Sequence, residues 1–426
     1  MCTVQRRWSL QKAKNVLELF NERLVKNVAT RKSKNPNTFE GLYKRLEEVI
    51  LANSGENEFE EIFKLIILKL WNELNDEPDE LTIDTANHKL KKIDTKWEGV
   101  LSETRFLVSE EQYQICISIL KTFSLLKDGY EGVDGIFEFL VSKEKKGAKG
   151  QYFTPRYIVD FCTKIISPKH REKILDPAAG SGAFLYHAHM NDTSIEANDL
   201  WGFDFDAVAT RVAKLLMYVS GLDSAHIFRV NSLVKNNKSA EGENVTTIED
   251  MLRIDKQKEL FDVIMTNPPF AGEITEPEIL DSYFVSVGKN RMERDVLFIE
   301  RCIELLKPNG RMSIVLPDNI FGSKETEDLR KWINEKCRII GVVGIPRNTF
   351  MPHTAVKTSI LFLQKREKKS KCEENIFFAI SEKPGKDGRG NAIYKNDIQT
   401  WSEIDHDLND ILVEFNKFKE KEKIGW

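Results

Sequence analysis

The chain has 426 residues, 41% hydrophobic and 31% charged, with a formal net charge of −4. That length exceeds one ordinary core and predicts two or three domains at roughly 100–200 residues each. The composition is that of a globular protein. The slight negative charge excludes a chain that coats nucleic acid by bulk electrostatics, so any phosphate contact must come from local patches or a partner chain.

The charge is uneven. Residues 1–50 carry 11 Lys/Arg against 5 Asp/Glu, and residues 51–110 carry 7 against 14. Basic clusters recur at "SKEKKGAKG" (142–150) and "KREKKSK" (365–371), and solvated surface is the ordinary reading of such runs. The start, "MCTVQRRWSL", lacks the apolar core of a secretory signal. The most apolar run, "IFKLIILKLW", is broken by Lys64 and Lys69, so no membrane span is expected and a cytoplasmic location follows. Cys2, Cys116, Cys162, Cys302, Cys337 and Cys372 are scattered without metal-ligand spacing, which suits free thiols in a reducing compartment. His187 and His189, in "HAH", point to different sides of a helix and read as ordinary helix residues, so no metal site is expected.

From Leu10 to about Leu140, apolar residues recur at three-to-four spacing in "NVLELFNERLVKNV", "FEGLYKRLEEVILA" and "EFEEIFKLIILKLWNEL", which predicts amphipathic helices. "NPNTF" breaks the chain before the second and "NDEPDELTID" closes the third. Residues 147–150 form a basic, glycine-bearing hinge. These signals set a helical domain over 1–145, a catalytic domain over 146–365, and a C-terminal tail over 366–426 that ends in a charged helix at "LNDILVEFNKFKEKEK" and docks partners.

Beyond the hinge, short apolar runs alternate with helical stretches. "KILDPAAG" reads as a strand followed by the helical "AFLYHAHM". "WGFDFD" is a second strand with helix "VATRVAKLLMYVSG", and "HIFRVNSL" a third strand. "FDVIMTNPPF", "RMSIVLPDNIF", "IIGVVGIP" and "KTSILFLQK" follow, with a polar loop and short helix between 239 and 258. The expected class is α/β: a helical domain, then a doubly wound, Rossmann-like parallel sheet.

Two loops carry chemistry. "LDPAAGSGAF" (175–184) follows the first strand and opens a helix. Its glycines let backbone approach a ligand closely, and helix amide ends favour electron-rich groups. It lacks the third glycine of a dinucleotide fingerprint and the Lys-Ser/Thr of a phosphate loop. Asp204 ends the second strand, where such folds hold ribose hydroxyls, and Asn231, ending the third, can address an adenine edge. In the second loop, "NPPF" (267–270), Pro268 and Pro269 fix the backbone, Asn267 offers an amide and Phe270 a flat apolar face. That loop suits accepting hydrogen bonds from a planar group and stacking on it.

"DPAAGSG" with "NPPF", and "GQYFTP" (150–155) upstream, resemble the motifs of S-adenosylmethionine-dependent amino-methyltransferases of DNA. More narrowly, "KGQYFTPRYIVDFC", "GFDFD", "LFIERCIELLKPNGRMSIVLPDNIF" and "AVKTSILFL" resemble the methylation subunit of type I restriction-modification systems, over roughly residues 35–420. The resemblance implies that Phe153, Thr154 and Pro155 line the methionine end of S-adenosylmethionine. Asp176, Ala178, Gly180, Ser181 and Gly182 would form the loop beneath it, Asp204 would hold the ribose, and Asn231 and Phe298 would sit near the adenine. Asn267 and the Pro268 carbonyl would accept hydrogen bonds from the exocyclic amine of a flipped base, with Pro269 holding the loop and Phe270 stacking on the ring. The implied activity is N6-adenine methylation of DNA. N4-cytosine, RNA and protein-glutamine methylation share such loops, and a non-catalytic scaffold subunit is the reading from another class.

Only 84 residues separate Gly182 from Asn267 and 63 follow Leu363, so neither gap is expected to house a DNA-reading domain. A separate specificity subunit, docked on the terminal helices, is the expected source of sequence choice. With no GxxxxGK[ST] loop, cleavage belongs to a restriction subunit, and two copies of this chain per complex are expected.

Overall fold

The computed structural model describes residues 38–51, 57–80, 82–126, 133, 136, 139–140, 153–235, 247–252, 260–270, 272–368, 374–398 and 400–426. The chain forms two compact units, Met1–Leu140 and Val141–Trp426. The helix expected at 15–28, the hinge at 147–150 and the basic residues at 142–150 and 369–371 lie outside the described residues.

The first unit contains helices α1 (Phe39–Leu51), α2 (Glu58–Asn75), α3 (Ile83–Lys96) and α4 (Glu110–Leu120). Their starts are written locally: the Asn57 side chain accepts from the Phe59 amide, and Thr82 and Ser109 each form a capping box, satisfying amides the helix leaves without partners. The lysine that interrupts the apolar run of α2, Lys64, is buried, and its ammonium meets Glu61 and the Arg105 carbonyl, each at 2.5 Å. A buried charge survives only when so paired. Among the described residues no helix is long and apolar enough to cross a membrane.

The second unit is built on an eight-stranded sheet in the order β10-β8-β9-β7-β4-β1-β2-β3. Its strands are β1 (Ile174–Asp176), β2 (Leu200–Asp204), β3 (His226–Arg229), β4 (Phe261–Thr266), β7 (Leu306–Pro317), β8 (Cys337–Ile345), β9 (Thr358–Lys365) and β10 (Phe377–Ile380). β5 (Glu273–Ile274) and β6 (Met292–Glu293) form a separate antiparallel pair. The longer helices are α5 (Arg156–Ile166), α6 (Ala183–Asn191), α7 (Ala207–Val219), α8 (Arg294–Leu305), α9 (Glu327–Lys336) and α10 (Leu408–Lys421).

The expected doubly wound, Rossmann-like sheet is present, and one of its strands is reversed. β9 runs antiparallel between β7 and β8, while the other pairings are parallel. Parallel neighbours need a crossover, usually a helix. The β8–β9 connection, residues 346–357, holds only the short 3-10 turn Arg347–Phe350, and the chain turns straight back. The segment read as a tail contributes β10 to the sheet edge and α10, whose Phe415 packs on Phe377 and Phe362 with ring centroids 5.3 and 5.9 Å away.

β1, β2 and β3 step outward in one direction, and β4 returns to the other side of β1. Ligands bind at the carboxyl ends of strands where the order reverses in this way. Close packing on that side is set by Gly202: a Cβ there would lie 2.8 Å from Ile227 Cδ1 and 2.9 Å from Leu185 Cδ1.

Arg311 of β7 ties α5 to the sheet. It is buried, its Nε donates to the Ile166 carbonyl at 2.6 Å, and Nη2 donates to the Ser167 carbonyl at 2.7 Å. Nη1 and Nη2 grip both oxygens of Glu172 at 2.7 Å. The guanidinium thus satisfies the carbonyl end of α5, where a cation is favoured, in a bidentate pair. Arg311→Met should lower the unfolding free energy by about 3–5 kcal/mol, the cost of removing one partner of a buried pair. Denaturant titration of the full chain measures this, and a loss below about 1 kcal/mol would place the pair with exposed ones.

Candidate functional site

The carboxyl ends of β1 and β4 lie side by side, which brings two loops 90 residues apart in sequence into one place. Thr266 Oγ1 donates to Asp176 Oδ1 at 2.7 Å, and the Ala178 amide donates to the same oxygen at 3.1 Å. A cleft open to solvent lies over this junction. Of the residues expected at a site, Phe153, Thr154, Asp176, Ala178, Gly180, Ser181, Asp204, Asn267 and Pro269 line it. Arg156, Ala179, Ala183 and Phe184 complete the wall.

The loop takes its shape from two glycines at positive φ, Gly180 at 54° and Gly182 at 86°, a backbone region that side chains disfavour. A Cβ on Gly180 would meet nothing within 4 Å; the cleft opens over that position. Asp204 fixes the loop from the second strand: Oδ2 accepts from the Gly180 amide and Oδ1 from the Asp206 amide, both at 2.8 Å.

Asn267 shows the clearest arrangement. Its Nδ2 donates to Thr154 Oγ1 at 2.9 Å. Its Oδ1 is buried and has no hydrogen-bond partner. Leaving a buried acceptor unsatisfied costs about 1–3 kcal/mol, and native structures keep such groups for a reason. Thr154 reaches in from the segment before α5 and holds the amide through this contact.

The remaining expected residues lie around the cleft without lining it. Pro155 caps α5 and Gly182 caps α6. Pro268 is buried, and the Phe270 ring stands edge-on to the buried Phe350 at 5.7 Å. Asn231 uses its Oδ1 within its own turn, accepting from the Leu233 amide at 3.1 Å. Phe298 sits in a small apolar cluster with Leu233, Ile274, Leu280, Tyr283 and Leu297, against which Ala178 packs. The two histidines read as helix residues are that: His187 is buried edge-on to Trp401, with its pKa pushed down to about 3 chiefly by burial, and His189 bonds the Ile195 carbonyl.

Sequence reasoning missed Arg156, Phe184 and Phe350. Arg156 directly follows the "FTP" motif, so proximity was the available signal. Phe350, 80 residues after Phe270, had none. Phe205, 65% exposed beside Asp204 with the Arg229 guanidinium over its ring, was also passed over.

A family model described as N-6 DNA Methylase matches residues 129–425. The chain belongs to the N-6 DNA methylase family. It is 29% identical over 239 residues to the type I restriction enzyme EcoEI methylase subunit of Escherichia coli, covering 54% of this chain and 45% of that one. It is 30% identical over 254 residues to the StySPI methylase subunit of Salmonella potsdam, covering 54% and 43%. The chain thus matches less than half the length of these relatives. Among solved structures, a protein assigned as a modification subunit of a type I restriction enzyme from Vibrio vulnificus YJ016 superposes with a TM-score of 0.64 at 16% identity, covering 91% of each chain. A type I methyltransferase subunit from Streptococcus thermophilus gives 0.56 at 15% identity, covering 93% of each. The α/β methyltransferase fold is shared with both.

Burial pushes the Asp176 carboxyl up to about 7, and burial does the same to Asp295. An unfolded carboxyl titrates near ~3.9, so between about pH 4 and pH 7 the folded state holds the extra proton and stability falls as pH rises. Asp176→Asn, which keeps the same acceptor for Ala178 and Thr266, should lose less stability than the parent across that window. Thermal or denaturant unfolding in buffers spanning it measures the difference, and equal slopes would show that Asp176 is not held protonated.

Proposed function

We propose that this chain is the modification subunit of a type I restriction-modification complex, transferring a methyl group from S-adenosylmethionine to the exocyclic N6 of an adenine flipped out of DNA. The observation that carries the reading is Asn267, whose amide is held by Thr154 with a desolvated acceptor left over at a cleft in the N-6 DNA methylase family.

An aromatic amine is a weak nucleophile because its lone pair is shared with the ring. Asn267 Oδ1 and the Pro268 carbonyl would accept its two hydrogens, favouring a pyramidal nitrogen and stabilising the positive charge that grows on it during attack. Because Thr154 has already fixed the amide, little reorganisation is left for the transition state. Phe270, backed by Phe350, would present a face to the base, which must leave the duplex to reach it. S-adenosylmethionine supplies the electrophilic methyl group. Gly180 gives the loop its open approach, and Asp204, held by two amides, fixes the end of the cleft assigned to the ribose. The acceptors are neutral, which suits an amine that becomes cationic before losing its proton.

Sequence choice is assigned to a separate specificity subunit, and cleavage to a restriction subunit, with two copies of this chain in the complex. The supporting observation is the family match together with relatives named as type I methylase subunits.

The experiment is methyl transfer from labelled S-adenosylmethionine to unmethylated DNA, by the chain alone and co-expressed with its neighbouring specificity subunit, with nucleoside analysis of the product. The expected product is N6-methyladenine, formed with the partner present. Asn267→Ala should lower kcat about 10²–10³-fold, as loss of one preorganised polar group does. Transfer to cytosine, RNA or a protein amide instead would overturn the adenine assignment, and efficient site-specific transfer by the chain alone would overturn the division of labour.

A further inference from the structure

We propose that Arg294 is a phosphate-binding residue of this chain and grips the DNA backbone at the nucleotide whose base enters the Asn-Pro-Pro-Phe loop. The inference rests on the DNA reading above and adds to it a residue outside the cofactor cleft.

Arg294 is the first residue of α8, the helix that carries the chain from β4 across to its parallel neighbour β7. Such a crossover helix runs back against the strands, so α8 starts at their carboxyl ends, where the cleft opens. Two contacts tie this start to the loop. The Arg294 amide donates to the Gly272 carbonyl at 3.2 Å, and Gly272 stands two residues beyond Phe270. A Cβ on Gly272 would lie 3.0 Å from Arg294 Cζ and 3.2 Å from Nε, so the guanidinium rests directly against the backbone by which the loop leaves. One turn along α8, on the same helix face, Phe298 belongs to the apolar cluster against which Ala178 of the cleft wall packs. Arg294 thus stands on the side of α8 turned toward the two loops.

Its charge has no partner in the fold. Among the described residues the half-buried Arg294 guanidinium makes neither an ion pair nor a hydrogen bond, whereas nearby Arg291 meets Glu273 at 3.6 Å. Withdrawing an unpaired cation from water costs stability, and the partial positive charge of a helix start adds to that cost. Asp295, next in the chain, is buried with Oδ2 unpartnered, and burial, with Glu293 adding to it, pushes its carboxyl up to about 7. It therefore offsets the guanidinium only in part at neutral pH. Glu293 is exposed, where a pairing contributes little.

An unpaired guanidinium at a helix start favours an anion, and its position selects which one. A base seated against Asn267 and Phe270 carries its own phosphate one sugar away, at the rim of the loop where Arg294 lies. The planar fork of an arginine suits two phosphate oxygens at once. Such a contact positions the nucleotide without reading its sequence and offsets part of the cost of unstacking the base. The unsatisfied Asn267 Oδ1 at the start of the same loop is independent evidence that the loop is shaped for a ligand.

The test measures DNA binding by this chain co-expressed with its specificity subunit, on synthetic duplexes whose methylated adenine has been mapped from the product. The phosphates on either side of that adenine are replaced one at a time by uncharged methylphosphonates. A hydrogen bond to a charged group corresponds to roughly 10- to 100-fold in affinity, so the parent complex should lose about that factor at one of the two positions. Arg294→Gln should lose a similar factor on the unmodified duplex and no more on the modified one, the non-additivity expected of two groups in contact. Arg294→Lys, which keeps the charge, should retain most of the sensitivity, and unchanged affinity for S-adenosylmethionine shows that each variant is folded. A parent complex indifferent to both replacements would overturn the proposal without any variant. So would an Arg294→Gln complex that binds unmodified duplex as tightly as the parent, or one that suffers the full further loss on the modified duplex. A complex that neither binds nor methylates DNA would overturn the DNA reading itself and this assignment with it.

Discussion

The buried hydrogen bond between Thr266 and Asp176 is the junction on which the site depends. It joins the end of β4 to the end of β1 at 2.7 Å, and those two strands are neighbours because the sheet reverses its order there. The glycine loop leaves from one strand and the Asn-Pro-Pro-Phe loop from the other. Held at this distance, a cofactor over the first and a base over the second would share one cleft. Transfer between two bound groups is largely a matter of such positioning.

A third segment completes the arrangement. Residues 153–155 enter from the start of α5, and α5 is fixed at its far end by Arg311 through the carbonyls of Ile166 and Ser167. Thr154 therefore reaches Asn267 from the segment that leads directly into a helix anchored to the sheet. Rigid support of this kind is what allows a single amide to be held with one end committed and the other open. The site is costly to the fold at several atoms at once: a carboxyl raised by burial, an acceptor without a donor, a guanidinium at a helix start. Such departures from local rules cluster where function is built.

Much of the fold was legible in short stretches. The apolar runs that end in Asp176, Asp204 and Asn267 announced strands meeting loops, and the intervening 3.6-residue periodicity announced helices. The antiparallel course of β9 was not legible, because its sequence is as apolar as a parallel strand and only the missing crossover helix distinguishes it. β10 escaped because four residues, alternately half-buried and exposed, carry too weak a pattern in a mixed segment. At the site, the place of Asn231 after the third strand gives no sign of how its side chain is used locally. In the structure its Oδ1 closes its own turn, a local use that Asn side chains commonly find.

The sequence by itself determined which atoms are available: an amide before two prolines, glycines that tolerate positive φ, an acid at each of two strand ends. These are properties of single residues and their immediate neighbours, and local sterics and hydrogen-bonding capacity fix them. Only the tertiary structure decided which atoms meet. Thr154 and Asn267 are 113 residues apart and Arg156 and Ser181 are 25 apart, and no local rule pairs them. Their meeting follows from strand order and from the burial of α5 against the sheet, which are set by the whole chain's need to cover its apolar surface.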